Sequence, residues 1–204
     1  MLVAAIGAIA FAVFQPVQVL PRLRPAPGYA LVDQRGATVT SEDGRGTITL
    51  YTFVPAGCGD ECGEVTETMR RVQDAVAGID LEGVEFRLAV VVLDPDPDLE
   101  IVAADAASSA GDRDEWIWLT GTEARIQNVV GLGFRRSPDP ADFSPSYALV
   151  DGSGTIRGEY RYQTLADDAD KIIRHLDVLG GELRNAHGFG SFVYEAAHAF
   201  QCYP

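Results

Sequence analysis

Hydrophobic positions fall into three kinds of run along this chain. The first is continuous: every residue from Met1 to Phe14 is apolar or glycine, and the character persists through Val17, Val19 and Leu20, broken by Gln15, Pro16 and Gln18. About 20 apolar residues cross the hydrocarbon core of a bilayer, so residues 1–20 are expected to form a membrane anchor helix. No basic segment precedes the run and no small-x-small site follows it, which favours an uncleaved anchor over a signal peptide. Residues 21–28 hold Pro21, Pro25 and Pro27. They predict a linker that cannot continue a helix and holds the next domain off the membrane.

The second kind of run is β-like. Tyr29 to Asp33 and Thr38-Val39 alternate as a short hairpin, with Gln34, Arg35 and Gly36 as its turn. Thr47 to Val54 is rich in β-branched and aromatic residues, and Val84 to Leu93 is almost continuously apolar, as in a parallel strand covered on both faces. Shorter strands are expected at Trp116 to Leu119, Ser146 to Val150 and Thr155 to Tyr162. The last two flank the turn sequence Asp151 to Gly154. The third kind is helical. Val65, Met69, Val72 and Val76 recur at three- and four-residue steps in a helix from Cys62 to Val76. Leu99 to Ala107 reads as a helix capped by Asp98, and Glu123 to Val130 as one capped by Thr122 or Thr120. Asp167 to Leu179 reads as a helix stopped by Gly180-Gly181. Strands alternating with helices, then a hairpin and a last helix, predict an α/β sheet with helices on both faces, in the order of a thioredoxin-like fold. The expected domain covers residues 29–181, and residues 182–204 form a C-terminal helical extension.

Composition narrows the function classes. The 204 residues carry 16 Lys+Arg against 30 Asp+Glu, a formal net charge of −14. Such a surface repels a phosphate backbone and no segment gathers enough basic residues to override it, so nucleic acid is not an expected partner. With 47% hydrophobic residues the chain can bury a core, which excludes a mainly disordered protein. Three cysteines and three histidines leave few donors for a metal site. Asp94, Asp96 and Asp98 are separated by prolines and followed by no bidentate glutamate, so they read as a solvated turn rather than a calcium loop.

The distinctive chemistry is Cys58-x-x-x-Cys62, in a Gly-rich loop between a strand and a helix. Cysteines four apart at the first turn of a helix face one side, close enough either to share a soft metal ion or to form a disulfide. The helix amino terminus favours a thiolate, while Asp60 and Glu61 oppose it. The bland alternative is a pair of inert buried thiols or a structural disulfide.

The stretch from Thr52 to Cys62 resembles the Sco (SenC-type) family of membrane-anchored, thioredoxin-like copper-delivery proteins. The Asp-Pro run Leu93 to Asp98, the Leu119-Thr120-Gly121-Thr122 turn, and the segment Asp142 to Asp151 resemble other family stretches, so the likeness runs in order from Tyr29 to Leu179. The resemblance implies copper as ligand, Cys58 and Cys62 as its thiolates, and a cytochrome oxidase subunit or another copper or thiol protein as partner. It also implies a single-pass cell-membrane protein with its domain outside the cytoplasm, although Arg22 and Arg24, which follow the apolar run, vote for a cytoplasmic domain by the positive-inside rule. Three departures stand out. Gly59 and Gly63 take the places where the family usually has proline after each cysteine. Phe143 stands eight positions before Asp151, where the family's third copper ligand is a histidine, and a phenyl ring cannot bind copper. Pro145 resembles the cis-proline that faces the redox cysteines of thioredoxin-like oxidoreductases. A thiol-disulfide oxidoreductase is therefore the alternative reading, with Cys58 attacking, Cys62 resolving and Pro145 shaping the groove. A metal-free interaction module is a third.

Towards the C-terminus, Tyr194, His198 and Cys202 recur every four residues after Ser191. One expectation is that this helix folds over the cysteine loop, with His198, alone or with Cys202, replacing the ligand missing at Phe143. The other is that His198 caps a packing surface and Cys202 is an ordinary small apolar residue. His175 and His187 are expected at the surface.

Overall fold

The computed structural model describes residues 18–110, 116–161, 168–186 and 197–198. Their centre is one mixed sheet of eight strands: β1 (Arg24–Pro25), β2 (Ala30–Asp33), β3 (Thr38–Thr40), β4 (Ile48–Val54), β5 (Phe86–Val92), β6 (Ile117–Thr120), β7 (Ser146–Val150) and β8 (Thr155–Arg161). The order across the sheet is β1-β8-β7-β4-β5-β6-β2-β3. Only β4, β5 and β6 run parallel. These central strands are the apolar ones, because both their faces are covered. Ile48, Leu50 and Val54 of β4 join one core, and Tyr51 and Phe53 join the other.

Helix α1 (Gly63–Val76) buries Val65, Met69 and Val72, and α4 (Asp168–Arg184) buries Ile172, Leu176 and Leu179. All six residues belong to the first core. Helix α2 (Leu99–Ala110) follows β5 and starts where Asp98 accepts the Glu100 N–H at 2.9 Å. Helix α3 (Glu123–Ile126) does not end at Val130 but widens into a π-helical turn over Gln127–Gly133, burying Val129 and Val130 in the second core.

Three expectations need correction. The Pro-rich residues are not a free linker. Val19 and Leu20 are fully buried, Leu20 belongs to the first core, and Arg24 and Pro25 add an edge strand to β8. Proline is compatible with an edge, where one side of the backbone needs no partner. Residues 1–17 of the anchor lie outside the described residues; among those described, no helix is long and apolar enough to cross a membrane. Helix α4 does not stop at Gly180-Gly181 but continues to Arg184. Gly180 serves a close approach instead: a Cβ there would lie 2.6 Å from the Asp80 carbonyl oxygen. Finally, His175 is buried, with its Nδ1 2.8 Å from the Tyr160 hydroxyl.

Candidate functional site

The parallel strands β4 and β5 end side by side, and the loops that leave them share one end of the sheet. After Val54 the chain turns through Gly57 and Gly59, both in the left-handed region with φ of 63° and 48°. A 3-10 turn, Gly59–Cys62, leads into α1. A proline ring holds φ near −65°, so the backbone at position 59 excludes the family's usual residue, whereas Gly63, with φ of −55°, does not.

Cys58 and Cys62 form a disulfide, with Cα atoms 5.6 Å apart. The two sulfurs are unequal. Cys62 is only 5% exposed within the first core, and Cys58 is partly accessible at its margin. Two carboxylates hold the loop: Asp94 accepts the Ala56 N–H at 2.6 Å, and Asp105 of α2 accepts the Gly57 N–H at 2.8 Å. Asp94 is thus a brace, not part of a solvated turn. The Asp-Pro run resembles a family segment, but Asp105 carried no signal, because its role depends on where α2 packs. A cavity of about 420 Å³ opens beside the disulfide, and the buried indoles of Trp116 and Trp118 border it. Among the described residues the Trp118 Nε1 has no hydrogen-bond acceptor.

The other expected site residues divide by sheet end. β7 runs antiparallel to β4 and its first residues pair with the end of β4, so Phe143 and Pro145, which precede it, stand at the cysteine end. Phe143 packs against both cores. Pro145 is not a cis-proline: no described peptide bond is cis, and the chain passes extended from the turn at Pro140–Asp142 into β7. His198 is at the other end. Its Nε2 lies 3.3 Å from Glu182 Oε2, and it borders a cavity with Gly46, Ile48 and Asp151. β4 alone, at about 3.3 Å per residue, puts roughly 20 Å between that end and the cysteine loop. His198 therefore cannot complete a site with Cys58 and Cys62. Its surroundings are polar: Arg157, 4% exposed, binds Glu182 at 2.5 Å and Asp151 at 3.0 Å, and the His198 imidazole lies beside Glu182. Cys202 and His187 lie outside the described residues. Among the described residues, no three His, Cys, Asp or Glu side chains converge as a metal site.

A sequence model of a protein family described as SCO1/SenC matches residues 21–179. The chain belongs to the SCO1/SenC family. A Stutzerimonas stutzeri protein named "Putative copper-binding protein" is 27% identical over 167 residues, covering 77% of this chain and 79% of that protein. Two solved structures share the thioredoxin-like fold. BsSco, described as a Sco-family cytochrome c oxidase assembly protein with a disulfide switch, superposes with a TM-score of 0.65 at 20% identity, over 80% of this chain and 98% of its own. Yeast Sco1 with copper bound gives 0.57 at 18% identity, over 75% and 92%. The match bears out the family resemblance read from Thr52 to Cys62 and the later stretches.

Proposed function

We propose that this chain is a membrane-tethered copper(I) carrier for assembly of a respiratory cytochrome oxidase, with the reduced Cys58 and Cys62 as its ligands and the domain on the extracytoplasmic side. One observation carries the reading: in a SCO1/SenC chain, two cysteine sulfurs meet within bonding distance at the open end of the sheet. The names of relatives point the same way, one to copper binding, one to bound copper and one to oxidase assembly.

The chemistry of the pair fits the cargo in part. Thiolates are the soft donors that copper(I) prefers. The disulfide must first take up two electrons and two protons to give two thiols, and copper binding then displaces both thiol protons. Two thiolates supply a two-coordinate site; the imidazole of the usual ligand set has no counterpart at Phe143 or at His198. The acidic side chains Asp60, Glu61 and Glu64 around the loop are exposed, and they favour the approach of a cation.

The test is a copper(I) titration of the reduced full chain against a chromophoric chelator. One copper per chain is expected, with at least a 100-fold loss of affinity in Cys58→Ser and none retained by the disulfide form. Unchanged affinity in Cys58→Ser would overturn the reading. A specific observation favours the oxidoreductase alternative: Cys58 is accessible while Cys62 is buried, the arrangement of an attacking and a resolving thiol. In that case the reduced chain cleaves a protein disulfide without metal. The tether over residues 1–20 is tested by fractionation, and the side of the membrane by protease access to intact cells.

A further inference from the structure

Arginines collect at one place on this acidic chain. Beside the cysteine end of the sheet, Phe53 and Leu93 floor a cavity of about 210 Å³, and Arg135, Arg136 and Arg161 border it. Arg135 sits in the left-handed region, φ 56°, just past the π-helical turn, and Arg136 follows with its N–H on the Val130 carbonyl at 3.0 Å.

Arg136 is the unusual residue. Its side chain is 7% exposed, and among the described residues its acceptors stand at the limit of bonding: the Tyr147 carbonyl at 3.5 Å and the Glu159 carboxylate at 4.0 Å, both from Nη2. Its buried Nε and Nη1 have no acceptor among the described residues, and neither does Nη1 of Arg24. Glu159 lies closer to the other arginine, with its Oε1 2.6 Å from Arg24 Nη2. Asp142, the acid in the cavity wall, accepts from Ser137 at 2.8 Å. Arg161 spends one Nη2 on the Arg135 carbonyl at 3.3 Å. Three arginines thus border a space with one acidic residue in its wall.

We infer that this cavity binds an oxyanion with two or more acceptor oxygens, a carboxylate or a phosphate, held by Arg136 and Arg161. A guanidinium presents parallel N–H donors that match two such oxygens, and a charge-assisted bond of this kind offsets the crowding of like charges where Arg135, Arg136 and Arg161 border one cavity. Burial first, and then repulsion from Arg161 and Arg24 against the attraction of Glu159, lower the Arg136 pKa to about 10. A bound anion would reverse that penalty. The site is independent of the thiol pair, and either can fail alone.

The experiment is calorimetric titration of the full chain at fixed ionic strength in a buffer free of oxyanions, with inorganic phosphate in one arm and N-acetyl-aspartate amide in the other. Saturable one-to-one binding is expected in at least one arm. Phosphate alone identifies a free or esterified phosphate as the ligand class; the aspartate derivative alone identifies an acidic side chain of a partner. Arg161→Gln, an exposed position that leaves the core untouched, weakens binding at least fivefold, and Arg136→Gln at least tenfold. Arg45→Gln, exposed at the far end of the sheet, changes nothing. No saturable binding in either arm overturns the inference, and so does wild-type affinity in Arg161→Gln, whether or not Arg136→Gln folds.

Discussion

Gly59 carries more of the cysteine loop than its size suggests, because its φ of 48° is a conformation that no proline and few other residues adopt. Gly59→Pro should cost about 1–3 kcal/mol, the scale of backbone strain at such positions. Gly63→Pro meets a compatible φ but loses the N–H bond to the Asp60 carbonyl and crowds Cys62, whose ψ is 8°, so it should cost less than Gly59→Pro without being neutral. Thermal unfolding of the two variants separates them. Gly180→Ala is expected to cost about 1–3 kcal/mol for a different reason, overpacking against the Asp80 carbonyl. At this scale the sequence was partly legible. Cys58, Cys62 and Phe143 share one end of the sheet, as strand-to-helix connectivity and the Asp142 to Asp151 segment implied. His198 does not join them, since a four-residue spacing fixes a helix face but not where the helix lands. Asp105 was invisible for the same reason.

Strands and helices were legible wherever burial imposes a period. β4 and β5 could be read from their apolar runs and α1 from its three- and four-residue steps, because the sheet needs cover on both faces. Residues 19–26 were not legible, because proline and arginine suggest a free linker while Leu20 is in fact a core residue with its N–H bonded to Glu182 at 2.6 Å. Leu20→Ala should destabilise the domain by about 2–5 kcal/mol, the range for emptying a buried leucine site. Chemical denaturation would measure this directly, and a loss below about 0.5 kcal/mol, the scale of ordinary surface changes, would mean that the segment is not docked in solution. The Gly180-Gly181 pair misled in the opposite sense, a stop signal in sequence that is a contact in space.

For the whole molecule, the order of elements places both sites at one end of the sheet and the Arg157, Glu182 and His198 cluster at the other. On the proposed reading the redox state of Cys58 and Cys62 governs copper loading: the disulfide has no free thiolate to offer, so loading should track the reduced fraction, read by alkylation of the thiols in parallel with bound metal. A chain that holds copper equally well when oxidised would contradict this. The central claim is that copper(I) is carried by two sulfurs alone, without an imidazole. X-ray absorption at the copper edge of the loaded full chain tests it most directly: a first shell of sulfur only, unchanged in His198→Ala, is the predicted result, and a nitrogen donor in that shell would contradict the account.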